Sequence, residues 1–179
     1  MYDETEHHCV FRCGCGTYLK SASPTARTPE VRDGAFLMEL LKAFYASWDA
    51  ETSADSVSWD ENSPAWGQCA VTALLVQDYM GGELLRGSLE KVPDPKVAAM
   101  RSHYWNRLPS GREVDLTERQ FQPSQRTYIT PGELRTREYV LSNAETARRY
   151  ALLKARVGQF LPPSPSRKVR NALIYPIGE

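Results

Sequence analysis

The stretch from Cys69 to Gly82 constrains this chain more than any other. Cys69-Ala70-Val71-Thr72-Ala73-Leu74-Leu75-Val76 is apolar almost all round, and Gln77-Asp78-Tyr79-Met80 then leads into Gly81-Gly82. A helix with no polar face cannot lie on a surface and has to be enclosed. Two alanines and a double-glycine stop favour helix over buried strand, because glycine takes the left-handed cap without steric cost. The rest of the chain must therefore cover this helix. With 179 residues, 41% of them hydrophobic, it is long enough to do so as one domain without metal or disulfide staples.

The covering elements follow from periodicity and punctuation. Asp33 is a plausible N-cap for a first helix, in which Phe36, Leu37, Leu40, Leu41, Phe44 and Trp48 share a face. Residues 51–64 are polar and read as a loop. Residues 83–88 form a possible strand, and Val92-Pro93-Asp94-Pro95 is a turn-rich connector. Residues 102–108 and 112–117 look like paired strands around Pro109-Ser110-Gly111. After a loop with Pro123 and Pro131, Ser142-Asn143-Ala144-Glu145 reads as a capping box with Ser142 at the N-cap. The helix it opens carries Tyr150, Leu153 and Val157 on one face and ends near Gly158. The expected organisation is a flexible leader over 1–32, an α+β domain over 33–161 and an irregular tail over 162–179. Residues 135–138 and Arg167-Lys168-Val169-Arg170 read as solvated surface.

Lys plus Arg number 22 and Asp plus Glu number 22, so the net charge is zero. There is no basic footprint to draw nucleic acid or an anionic membrane. No apolar run reaches the roughly 20 residues of a membrane span, and the start is acidic where a signal peptide is basic, so the chain reads as cytoplasmic. Cys9, Cys13 and Cys15, with His7 and His8, are the weak candidates for metal. Their spacing is not that of a C-x2-C knuckle, and no second pair follows to close a tetrahedron. The expectation is no metal and no cofactor.

From residue 16 onward the sequence has one cysteine, Cys69, and one histidine, His103. At the first turn of a helix, unpaired N–H groups and the positive end of the dipole favour a thiolate, and they can also hold an oxyanion. Pro109 and Gly111 suit a three-residue hairpin loop, which sets Leu108 opposite Arg112 and Arg107 opposite Glu113. Trp105 then faces Asp115, and His103 lies diagonally from Asp115 on the same face, within reach of a hydrogen bond. A two-residue loop would put them on opposite faces. Cys69, His103 and Asp115 thus supply nucleophile, base and orienter. The bland alternative is a packed core thiol, a satisfied core histidine and an aspartate that ends a hairpin.

Gly67-Gln68-Cys69-Ala70-Val71-Thr72-Ala73, Gln77-Asp78-Tyr79 with Gly81-Gly82-Glu83, Ser102-His103-Tyr104-Trp105-Asn106-Arg107-Leu108, and Asp115-Leu116-Thr117 with Gln120-Phe121 resemble the YunG family of small bacterial proteins. The likeness covers residues 59–157. The order Cys, His, Asp is also similar to the papain-like and transglutaminase-like folds. That similarity implies a papain-like α+β domain, with a buried helix bearing Cys packed on an antiparallel sheet bearing His and Asp. Papain-like peptidases place an oxyanion-hole Gln several residues before the Cys. Asn62 and Ser63 stand there instead, and Gln68, adjacent to Cys69, is the nearby glutamine. Trp66 and Trp105 are candidates for the wall of an acyl pocket. The function expected is thiol-dependent hydrolysis, deamidation or acyl transfer at an amide or thioester of a peptide or small molecule. The alternative is a non-catalytic binding or structural module that keeps the fold.

Overall fold

The computed structural model describes residues 29–161. The helix over Cys69–Met80, α2, lies at the centre of the fold. Before it comes α1 (Pro29–Tyr45). After it run β1 (Glu83–Ser88), α3 (Pro95–Ala99), β2 (Ser102–Arg107), β3 (Glu113–Val114), a 3-10 turn (Glu118–Gln120), α4 (Pro123–Arg126), β4 (Glu133–Arg135), α5 (Arg137–Leu141) and α6 (Ala144–Val157). The strands form one antiparallel sheet in the order β3-β2-β1-β4. The architecture is α+β, with helices packed around α2 and the sheet.

Every residue of α2 from Val71 to Val76 is buried, as a helix without a polar face requires. Val71, Leu75 and Val76 pack with Leu37, Leu40 and Phe44 of α1 and with Leu153 and Val157 of α6. Ala73 and Leu74 pack with Leu84 of β1 and Val140 of α5. The polar Thr72 is satisfied inside the core by accepting from Trp48 Nε1 at 3.1 Å. Asn106 of β2 is likewise buried and donates through Nδ2 to Ala73 O at 3.0 Å, which ties the sheet to the helix.

The hairpin has the register that its loop length dictates. Arg107 pairs with Glu113 and Asn106 with Val114. Leu108 N donates to Arg112 O at 2.8 Å, and Gly111 takes the left-handed conformation (φ 86°) that glycine permits. The second strand is much shorter than the expected 112–117. Thr117 N and Oγ1 both donate to Asp115 Oδ1 at 2.9 Å, and this local turn carries the chain off the sheet after Val114.

Other boundaries also differ from those expected. The first helix begins at Pro29, ahead of Asp33, so residues 29–32 are helical rather than leader. Trp48 lies beyond its end but stays in the core. The cap of α6 is Asn143, whose Oδ1 accepts from Thr146 N at 2.9 Å, rather than Ser142. Ser142 instead ends α5, its hydroxyl donating to Tyr139 O. The stretch 123–131 contains α4, and residues 135–138 are not plain surface. Arg137 reaches across to Leu74 O at 3.2 Å and Asp78 Oδ1 at 3.1 Å, satisfying the carboxyl half of α2. The remaining leader residues, with Cys9, Cys13 and Cys15, and the tail over 162–179 lie outside the described residues. Among the described residues, no helix is long and apolar enough to cross a membrane.

Candidate active site

Cys69 is the first residue of α2 and is 8% exposed. His103, the second residue of β2, is 2% exposed. Because β2 is the strand that packs along α2 through Asn106, its amino end lies by the amino end of the helix. The Cys69 side chain is near enough there to favour the charged form of His103.

The other side of the imidazole meets Asp115. His103 Nε2 lies 2.6 Å from Asp115 Oδ2. Thr117 holds the opposite carboxylate oxygen, so the carboxylate is fixed from both ends. With Nε2 engaged by Asp115, Nδ1 faces Gln120, whose Nε2 is 3.4 Å away. The ring is walled by Phe121, edge-on at 4.8 Å, and by Trp105, nearly parallel at 5.6 Å. Burial opposes the charged imidazole, but the bonds to Asp115 and Cys69 and the negative charge each can carry outweigh it. The pKa of His103 is pushed up from 6.5 to about 9.

Two cavities border this line of residues. His103, Trp105 and Asp115 line one of about 590 Å³. Cys69 lines another of about 610 Å³, with Tyr104, Asn143, Thr146 and Arg149. Both are of the size that takes a small molecule or a short peptide segment.

The structure thus brings His103 and Asp115 into direct contact and places Cys69 at the start of α2, lining a different cavity. Trp105 joins them as a cavity wall, its Nε1 donating to Glu113 Oε2 at 2.8 Å. Trp66 instead belongs to the core around Leu89, Val97 and Phe121, with its Nε1 bonded to Asp55 Oδ2 at 3.0 Å. Gln68 is fully buried and its Nε2 donates to Asp49 O at 2.9 Å, so that nitrogen is committed to the backbone. Its Oε1 has no partner. The donors nearest the thiol are instead the first N–H groups of α2. Thr117, Gln120 and Arg149 had no role in the sequence reading. The Asp115-x-Thr117 spacing is an aspartate-turn signal that points to Thr117, whereas nothing local marks the other two. Among the described residues no three His, Cys, Asp or Glu side chains are grouped as a metal site would need.

Comparison with known proteins agrees with the motifs that surround these residues. A family model described as YunG protein matches residues 37–162. The chain is 33% identical over 76 residues to the uncharacterized protein YunG of Bacillus subtilis (strain 168). That match covers 42% of this chain and 55% of the relative, so the chain spans about half the length of the curated protein it matches. No solved structure matches. The family match runs through α2, the hairpin and α6, and the chain belongs to the YunG family.

Proposed function

We propose that the protein carries out thiol-dependent acyl chemistry at an amide or thioester, in a papain-like arrangement of Cys69, His103 and Asp115. The observation that carries this reading is a buried imidazole in contact with a carboxylate held by Thr117, with a helix-start thiol beside it that favours its charged form. In this reading the Cys69 thiolate attacks the carbonyl carbon, and the π pair moves to oxygen, facing the first N–H groups of α2. Collapse re-forms the carbonyl and breaks the bond to the leaving amine or thiol, which takes a proton from His103. The product is an acyl-thioester on Cys69. His103 then removes a proton from water, or from an acceptor nucleophile, as it attacks the thioester. The Cys69 thiolate leaves and the imidazolium is restored. Asp115 holds the ring orientation throughout. Cytoplasmic location belongs to the same reading.

The alternative, a binding module that keeps the fold, draws on the small exposure of Cys69 and on the separate cavities of thiol and imidazole. Labelling separates the two. The folded protein is treated with a panel of acyl electrophiles and the adducts are mapped by mass. The expected result is an adduct on Cys69 that is lost in His103→Ala. If Cys69 is labelled only after unfolding, the acyl-transfer reading falls and the binding module stands.

A further inference from the structure

Arg149 is the cation that the chemistry above does not use. It sits on α6, is 7% exposed, and lines the same cavity as Cys69. Its Nη1 donates to Thr52 O at 3.4 Å and its Nη2 to Thr146 Oγ1 at 3.1 Å, both uncharged acceptors. Among the described residues, no carboxylate forms a salt bridge with it. Glu145, the nearest acid on its own helix, is exposed and paired with Arg148. A buried guanidinium without a counterion is costly, and proteins rarely keep one unless something supplies the missing charge. Burial indeed disfavours the charged form of Arg149, while the Cys69 side chain favours it, so the two residues sense one another across the cavity.

The other charged groups facing that cavity do not cancel it. Lys96 lies 4.5 Å over the Trp66 ring. Asp55, the one carboxylate lining it, is held by Trp66 Nε1 and Ser58 N and feels the charge of Lys96. With Asp55 and Lys96 offsetting one another, the Cys69 sulfur is the remaining lining group that can answer the charge of Arg149, and acylation of Cys69 would remove that answer. Two of its five N–H groups are used by Thr52 and Thr146, so donors remain for an oxygen pair.

We propose that Arg149 is a specificity residue that receives a carboxylate carried by the substrate next to the acyl group presented to Cys69. This rests on the acyl-chemistry reading for its second half. A single guanidinium and its planar donor set favour a carboxylate monoanion over a dianion. The shared chemistry is that of a short organic acid or of a peptide's terminal carboxylate.

The test compares two reagents of nearly equal size, iodoacetate and iodoacetamide, each of which loses iodide as the Cys69 sulfur–carbon bond forms. Rates on Cys69 of the full chain are read by peptide mapping, with Cys69 of the urea-unfolded protein as reference. The folded protein should prefer iodoacetate about tenfold more than the reference does, the scale of one charge-assisted hydrogen bond. Arg149→Met should abolish that preference, read as the iodoacetate-to-iodoacetamide ratio so that a change in Cys69 reactivity common to both reagents cancels, and Arg149→Lys should keep part of it. The His103 imidazolium is unchanged in these variants, so its own pull on an anion cancels. A ratio equal to the reference, or one that Arg149→Met does not move, overturns the proposal.

A second measurement does not depend on thiol reactivity or on Arg149→Met folding. Full-length Cys69→Ser is titrated by NMR with propionate for the small acid and N-acetylglycine for the peptide terminus, with and without Arg149→Lys. Saturable binding of either, weakened by Arg149→Lys, supports the subsite; no binding of either refutes it. If Cys69 resists both iodo reagents yet propionate binds, the acyl-transfer reading fails and the carboxylate subsite survives.

Discussion

Replacing Asp115 by Asn gives the most direct reading of how the site is held. In the folded protein the His103 pKa stands at about 9, against 6.5 for a free imidazole. A displacement of that size is worth about 3 kcal/mol at the usual conversion of about 1.4 kcal/mol per unit. Because the folded pKa is the higher one, this stabilisation is fully present below about pH 6.5. It is lost as pH rises through about 9, where the folded protein releases the proton. Asp115 supplies one of the two opposing interactions, through the 2.6 Å contact, and Cys69 the other. Asp115→Asn keeps the shape and removes the charge, so burial then works against the imidazolium with less opposition. The expected loss is about 2 kcal/mol at pH 6, the scale of a charged hydrogen bond. The two proteins should converge above pH 10. Urea unfolding across pH 5.5–10 measures this, and NMR of the imidazole carbons gives the His103 midpoint directly. Parallel stability curves for the two proteins, or a wild-type midpoint at or below 6.5, would refute the reasoning.

Three further outcomes are expected. A methyl group at Gly132 would stand 2.5 Å from Trp105 Cζ2 and 3.0 Å from Leu85 Cβ, so Gly132→Ala should cost about 1–3 kcal/mol by overpacking. Adding Trp105→Phe should recover part of that in urea unfolding, and no recovery would place the strain elsewhere. Asn106→Ala removes the bond to Ala73 O and should cost about 1–2 kcal/mol; a smaller alkylation rate at Cys69 should accompany it, since that bond aligns β2 with α2. A chelator should leave the melting temperature of the full chain unchanged, since the core needs no metal to close; a fall on chelation, with stoichiometric zinc in the untreated protein, would assign a structural metal to Cys9, Cys13 and Cys15.

The parts of this fold that could be read from the sequence were those where one rule leaves a single answer. An apolar run with no polar face has to be enclosed, the alanines and the double-glycine stop favour helix over strand, and α2 is buried from Val71 to Val76. A Pro-Ser-Gly loop fixes parity across the hairpin as far as Val114, and the Thr117 turn then holds Asp115 against His103. The rest depended on competition between neighbours. Ser142 and Asn143 are both good caps, and only backbone geometry decides that Asn143 starts α6 while Ser142 ends α5. Residues 133–135 have no strand pattern, with Leu134 exposed, and they are a strand because β1 offers an open edge. Arg149 follows Arg148 and reads as surface by local pattern. Its burial is set by the loop at Thr52, which is 97 residues away in sequence. Long-range packing of that kind leaves no local periodicity to read.

The close approach of Gly82 to the hairpin has a consequence for how the site can vary. A Cβ on Gly82 would fall 2.2 Å from Arg107 O, so helix and strand are pinned together just beyond the far end of α2. From that pin, α2 runs back about 18 Å to Cys69, and β2 runs back through Asn106 to His103. The thiol–imidazole gap is therefore the difference between two lengths measured from one hinge point. Adding one residue to α2 would shift Cys69 by about 1.5 Å and swing it by about 100°. Adding one to β2 would turn His103 to the opposite face. Relatives with a working site can lengthen or shorten the loops around residues 46–68 and 89–101, but the spacings from Cys69 to Gly82 and from His103 to Arg107 have to stay as they are.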